Sequence, residues 1–169
     1  MSDLTAAPLA GPTLDLEPLR VEHAEELAPL LADPALHEFI GGEPETLAGL
    51  RARYIRQAVG RSPDGAQRWL NWVMRVRADR APVGTVQATV TDDGLRAVAE
   101  VAWVVASAHQ SKGHAKEGAA TVASWLRGQA AVTIVAHIHP SHVASQGVAR
   151  AIGLAPTDTL VDGELRWEG

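Results

Sequence analysis

The sequence predicts one mixed α/β (α+β) domain with elements in the order β-α-α-β-β-β-α-β-α-β-β. Three observations predict it. The 169 residues suit a single domain that buries a sizeable core without staples. Hydrophobic residues make up 46% and charged residues 21%, the balance of an ordinary globular protein. The apolar period switches repeatedly between two and 3.6, and one strand–helix–strand run, Val98–Ile138, implies a parallel pair joined by a right-handed crossover.

The first 13 residues, rich in Ala, Pro and Gly, read as a loose tail, and the domain as residues 14–169. Leu14 and Leu16 alternate with Asp15 and Glu17 in a first strand stopped by Pro18. VEHAEELAPLLAD is a short helix with Leu27, Leu30 and Leu31 inward, broken at Asp33-Pro34. PETLAGLRARYIRQAVG is a second helix, with Leu47, Leu50, Tyr54 and Ala58 on one face and Gly60 as its stop. RSPDGAQ is a loop. Trp69–Arg77, Gly84–Thr91 and Val98–Val105 are three successive strands, turned by ADRAP and by Asp92-Asp93-Gly94. The third is the most apolar and is expected at the centre of the sheet. His114–Arg127 is a long helix with Ala115, Ala119, Val122 and Leu126 as its buried stripe, ending at Gly128. Val132–Ile138 is a buried strand, and Val143–Ile152 a helix closed by Gly153. A hairpin around Asp162-Gly163, Thr159–Val161 with Glu164–Trp167, ends the chain.

Composition excludes several chemistries. There is no cysteine, hence no disulfide, thiolate zinc site or cysteine nucleophile. The formal charge of −5 argues against nucleic acid as a partner. No apolar run approaches the roughly 18 residues that span a bilayer. No basic segment precedes a hydrophobic one at the start, so a cytoplasmic location is expected. The chain has 13 arginines but two lysines, Lys112 and Lys116, both in QSKGHAKE, and five of its seven histidines lie between His109 and His142. The chemistry is expected near there.

In that region a central strand stops at Ser107, a glycine turn follows, and a helix begins. A helix start leaves up to four amides unpaired and carries about half a positive charge, so such a turn can hold a phosphate or diphosphate. Gly113 lets a ligand approach the backbone, and Ala115 leaves room in the first turn. Lys112 and Lys116 add charge, and Gln110 adds a donor. Neither GxxxxGK[ST] nor GxGxxG occurs. On these residues alone, Gly113 serves a plain tight turn equally well.

Gln110-Ser111-Lys112-Gly113-His114-Ala115 resembles the Q/R-x-x-G-x-G/A motif of the GCN5-related N-acetyltransferase (GNAT) superfamily. LDLEPLRVEHAEELAPLLADP is similar to the opening of the branch that acetylates ribosomal-protein N-termini and small amines. Ala99-Glu100-Val101-Ala102-Trp103 resembles that branch's A-E-[IV]-G-[YW] strand, and His139–Ser145 its P-x-N-x-A-S segment, while Gly153-Leu154 stands for its terminal G-F. The resemblance implies a GNAT-like fold with a splayed parallel pair, acetyl-CoA as co-substrate and an amine as acceptor. Trp103, Val104 and Val105 would line the pantetheine arm. Gln110, Ser111, Lys112, Gly113, His114 and Ala115 would cradle the diphosphate, and Lys112 and Lys116 could reach the 3′-phosphate.

Acetyl transfer to an amine needs a base, a donor to the carbonyl oxygen and a proton for the leaving thiolate. Glu100 is the only acidic residue between Asp93 and Glu117, and it sits in an apolar strand whose burial would raise its pKa. It is the candidate base; a strand-end carboxylate paired with an arginine, or one that only orients the substrate amine, is the alternative. An amide near Val104 or Val105 would polarise the carbonyl, as the resemblance implies. The family's tyrosine acid has no counterpart, since the one tyrosine is Tyr54 in the second helix; Ser145 is the acid candidate by resemblance. His142 stands where asparagine is usual and is assigned to cofactor binding. His137, His139 and His142 superficially resemble metal ligands, but no acidic residue nearby completes a set, and no metal is expected. Trp72 and Trp103 could reach the acceptor cleft, and Arg53, with Arg51 and Arg56, could bind an acidic acceptor or simply form a solvated helix face. The expected activity is N-acetylation of a primary amine on a small molecule, a peptide or a protein N-terminus by direct attack in a ternary complex. The alternatives are another donor (a longer acyl-CoA or an aminoacyl-tRNA) and a non-catalytic acyl-CoA-binding module. A homodimer is compatible with the sequence, which does not set the oligomeric state.

Overall fold

The computed structural model describes residues 4–39, 42–92, 94, 96–129 and 132–169. Among the described residues eight strands form one sheet: β1 (Leu9–Ala10), β2 (Leu14–Pro18), β3 (Gln67–Val76), β4 (Pro82–Asp92), β5 (Ala97–Val105), β6 (Val132–Ile138), β7 (Ala155–Val161) and β8 (Glu164–Glu168). The helices are α1 (His23–Leu30), α2 (Leu47–Ala58), α3 (His114–Gln129) and α4 (Val143–Ala151). The spatial order is β1-β2-β3-β4-β5-β6-β8-β7. Every adjacent pair is antiparallel except β5–β6, which is parallel, and α3 makes the crossover between them. The mixed domain and the central place of β5 are as the sequence predicts.

Strand alternation splits the core in two. Leu70, Trp72 and Met74 of β3, Val86, Ala88 and Val90 of β4, and Ala99 and Val101 of β5 face α3, where Ala119, Val122 and Leu126 meet them. Gly118 brings α3 against the sheet, since a Cβ there would overlap Met74 Sδ. The opposite face is roofed only in part. Val73 packs with Ala24 and Leu27 of α1 and Leu50 and Tyr54 of α2. Only two members of the stripe expected on α2 are therefore buried, and Leu47 and Ala58 are exposed. Thr46 caps α2, its hydroxyl accepting from the Gly49 N–H at 3.1 Å.

Two expectations change. Residues 4–13 are not a loose tail: β1 pairs with β2, Leu4, Ala6 and Leu9 pack on the core, and Trp72 Nε1 donates to the Ala7 carbonyl at 2.8 Å. Glu117 of α3 ties this segment down by accepting from the Thr13 N–H, the Thr13 hydroxyl and the Leu14 N–H, each at 2.6 Å. The last hairpin is longer than expected, because β7 begins at Ala155; its turn at Asp162 and Gly163 has φ of 51° and 83°, the left-handed pair of a tight hairpin. Of the other predicted turn, Asp93 lies outside the described residues, while Asp92 Oδ1 accepts from the Gly94 N–H at 2.9 Å.

Candidate active site

The parallel register of β5 and β6 runs from Ala97↔Val132 to Glu100↔Val135 and stops. Beyond Glu100, β5 continues to Val105 paired with β4 alone, while β6 continues to Ile138 paired with β8. The strands therefore part, and a gap opens between them at the end of β5. Backbone direction follows from alternation. The Ala106 N–H bonds the Val83 carbonyl at 2.9 Å, so in this antiparallel ladder residues 106, 104 and 102 turn their polar groups toward β4. The groups of Trp103 and Val105 then face the gap. Gln110 agrees: its Nε2 donates to the Val105 carbonyl at 3.0 Å. The amide suited to polarising a carbonyl in the gap is thus that of Val105 or Trp103, rather than Val104.

The end of β5 leads into a 3-10 turn, Ser107–His109, and then into the turn before α3. Ser111 and Gly113 have φ of 61° and 84°, and nothing lies within 4 Å of a Cβ built on Gly113. The Glu117 N–H bonds the Gly113 carbonyl at 3.0 Å, so the amides before it form the open start of the helix. Lys112 and Lys116 are exposed beside them, with Lys112 Nζ 3.3 Å from the Ala108 carbonyl. Burial, then the neighbouring His109, holds the His114 imidazole below its usual pKa. Ala115 is half-buried against the core. This constellation fits a diphosphate: an open left-handed turn, outward amides and two ammonium groups.

Glu100 does not have the burial expected of it. Its side chain is 51% exposed and its Oε1 lies 2.9 Å from His137 Nδ1. The reason is positional. In cross-strand register the row Val73–Thr85–Val104 lies under α1 and α2, whereas the row Trp69–Thr89–Glu100–Val135 lies beyond their roof. A cleft of about 240 Å³ covers that row, lined by Gln67, Thr89, Glu100, His137 and Arg166 among others. A smaller cleft of about 70 Å³ lies at the roofed row, where Leu36, His37, Glu45 and Arg53 face Thr85 and Val104. Arg53 thus lies in a cleft beside β5, its Nη1 2.9 Å from Glu45 Oε2.

Trp72 does not reach either cleft. It is fully buried on the α3 side, edge-on to Trp125 with ring centres 5.7 Å apart. Trp103 is half-buried, with its side chain on the same α3 side and only its backbone toward the gap. At the start of α4, Ser145 Oγ lies 3.4 Å from His142 Nε2, and the His142 ring stacks on Phe39 with centres 4.3 Å apart. Burial, then the neighbouring His139, holds the His142 pKa below its ordinary value, which favours the neutral ring. The three histidines do not converge: His137 turns to Glu100, while His139 and His142 meet Phe39. Sequence reasoning missed two partners, Phe39 and His137. Phe39 is the only phenylalanine and carried no pattern, and His137 was weighed only as a metal ligand.

Residues 13–155 match the acetyltransferase (GNAT) domain. The chain belongs to the GNAT family. It is an acetyl-CoA-dependent acetyltransferase. No curated protein matches it in sequence. Among solved structures it is similar to RimL, a ribosomal L7/L12 α-N-protein acetyltransferase in complex with coenzyme A, at 12% identity and TM-score 0.79, covering 96% of this chain and 97% of that one. It is also similar to the Salmonella typhimurium acetyltransferase that modifies the N-terminal serine of ribosomal protein L7/L12, at 11% identity and TM-score 0.77, covering 96% and 98%. The acetyltransferase AAC(6')-Ib, solved with paromomycin and acetyl-CoA, matches at 17% identity and TM-score 0.74 over 92% of each chain. At such identities these likenesses concern the fold.

Proposed function

We propose that this protein moves the acetyl group of acetyl-CoA to a primary amine, on a small molecule, a peptide or a protein N-terminus, by direct attack within a ternary complex. The observation that carries the reading is the end of the β5–β6 register at Glu100, which puts a carboxylate at the root of a gap lined by free strand backbone. Acetyl-CoA supplies the activated thioester. Amides of residues 111–115, with Lys112 and Lys116, hold its diphosphate, the Gln110 N–H being bonded to the Ser107 carbonyl; the backbone of Trp103 and Val105 holds the arm. The Val105 or Trp103 N–H donates to the carbonyl oxygen as charge grows there. Glu100 takes a proton from the acceptor ammonium, directly or through a water in the open cleft. As the new C–N bond forms and the C–S bond breaks, the thiolate takes the Ser145 hydroxyl proton, the proton that the nitrogen sheds on becoming an amide restores Ser145 through water, and neutral His142 beside it aids the arm's binding. Arg53 meets the acceptor at the smaller cleft. A small-molecule acceptor is favoured over a protein terminus, and the cytoplasm is the expected compartment. No helix among the described residues is long and apolar enough to cross a membrane.

Thiol release from acetyl-CoA with a panel of amines tests the reading. Glu100→Gln should cut turnover by about 10²–10⁴-fold while calorimetric affinity for coenzyme A stays within twofold of wild type. Full turnover in that variant refutes Glu100 as the base. Tight binding without turnover on the whole panel refutes the amine as acceptor.

A further inference from the structure

The pairing of Glu100 with His137 has a consequence for catalysis, and it rests on the reading of Glu100 as the base. Glu100 faces Val135 at the last step of the parallel register. His137 is two residues further along β6 and so shares the Glu100 face of the sheet. The diagonal contact between them, 2.9 Å from Nδ1 to Oε1, crosses the sheet where the two backbones part.

We propose that His137 is a positioning residue: its Nδ1–H holds Oε1 of Glu100 and leaves the other carboxylate oxygen to meet the acceptor amine. Three observations support it. A carboxylate only accepts, so the ring nitrogen at 2.9 Å is the one that carries the hydrogen. The opposite nitrogen, Nε2, is buried and without a hydrogen-bond partner, so a proton on Nδ1 meets an acceptor where one on Nε2 would not. The exposures also differ: His137 is 15% exposed and Glu100 51%.

The physical need is clear. A half-exposed glutamate has three side-chain torsions to settle, and ordering it costs conformational entropy. Glu100 lies beyond the roof of α1 and α2 and faces the larger cleft. His137 stands on rigid ground, since β6 is tied to β8 through Ala136↔Trp167, His137↔Arg166 and Ile138↔Leu165. Its imidazole thus transfers the order of that hairpin to a carboxylate that would otherwise swing over the open cleft.

The test compares His137→Ala and His137→Asn with wild type and Glu100→Gln, using acetyl-CoA and four amine probes: an amino acid, a polyamine, an amino sugar and a peptide with N-terminal serine. Asparagine places an amide N–H close to the Nδ1 position but has nothing at Nε2. His137→Ala should lower kcat by about 10–100-fold with the KM for acetyl-CoA unchanged, and His137→Asn should recover most of the loss. Wild-type kcat in His137→Ala overturns the proposal. So does His137→Asn being no better than His137→Ala, which would assign the work to the second ring nitrogen. Activity kept in Glu100→Gln sinks the reading of Glu100 as the base; activity lost there but kept in His137→Ala sinks the positioning role alone. A readout free of turnover and of variant folding at His137 is the ring ¹⁵N spectrum of histidine-labelled wild type and Glu100→Gln. The proposal requires a proton on His137 Nδ1 and a shift of that signal in Glu100→Gln. A proton on Nε2 instead overturns it.

Discussion

At Gln110 a side chain expected to serve the diphosphate turns back to the strand. Its Nε2 occupies the Val105 carbonyl, leaving the Val105 N–H as the free polar group of that residue on the gap side. Gln110→Ala exposes this carbonyl and loosens the root of the turn. The expected result is a several-fold rise in the KM for acetyl-CoA with little change in kcat, measured by initial rates; an unchanged KM contradicts the role. Trp72 shows the reverse case. Its aromatic bulk suggested a cleft residue, but at full burial with its indole N–H spent on Ala7 it belongs to the core. Trp72→Ala is expected to destabilise the fold by about 3–5 kcal/mol, read from chemical denaturation, through the cavity it leaves rather than through any lost acceptor contact.

Elements depend on a few close approaches. Gly84 lies opposite Val105 where β4 supports the free end of β5, and a Cβ there would overlap the Val104 carbonyl oxygen. Gly84→Val should force the two backbones apart, costing about 1–3 kcal/mol and weakening coenzyme A binding together with stability. Gly118→Val presses α3 off Met74, which lies opposite Gly84 in the sheet, and should cost stability by a similar amount and weaken binding as well, because the start of α3 one turn earlier borders the gap. Parallel denaturation and calorimetry on the two variants read both effects. Glu117 carries a third element-scale tie. Burial opposes its charge, but hydrogen bonds from Thr13 and Leu14 prevail and hold its pKa below the usual carboxylate range. Glu117→Ala should free the segment from Leu4 to Thr13, seen as faster amide exchange there.

Across the whole molecule, pH reports on the buried histidines before the carboxylates. His23 is 3% exposed, and its Nδ1 accepts from the Arg20 N–H at 3.0 Å. Burial, then the Arg20 charge, lowers its pKa, and His114 and His142 are lowered by burial as well. A lowered folded value means that the unfolded chain binds the proton first. Stability is therefore whole above the unfolded histidine value of about 6.5 and declines as pH falls through it toward the folded values. A second decline follows below about 4, where Asp15 and Glu17 lose their ties to arginines. Denaturation midpoints between pH 8 and 3 should show both steps, and His23→Gln should shrink the first.

Much of this architecture was legible in the sequence. The period-two runs of β3, β4 and β5, the apolar stripe of α3 and the Asp162-Gly163 turn are local signals, each read from neighbours along the chain. What was not legible depended on register. β1 is two residues long and exists only through its pairing with β2. Glu100 looked buried because the apolar run of β5 implies cover on both faces, whereas the roof of α1 and α2 ends at the row of Val104, two rows away, with Gln87 and Ala102 exposed between. Its partner His137 is 37 positions away, and only the parallel register brings them together.

The central claim is that the gap and turn beside β5 hold coenzyme A through its diphosphate. Titration calorimetry with acetyl-CoA and with S-acetylpantetheine, which has the thioester and arm but no diphosphate, tests it most directly. Measurable binding of acetyl-CoA with affinity at least about tenfold weaker for S-acetylpantetheine is the predicted result. Equal affinity for the two, or no affinity of folded protein for any coenzyme A derivative, would contradict it.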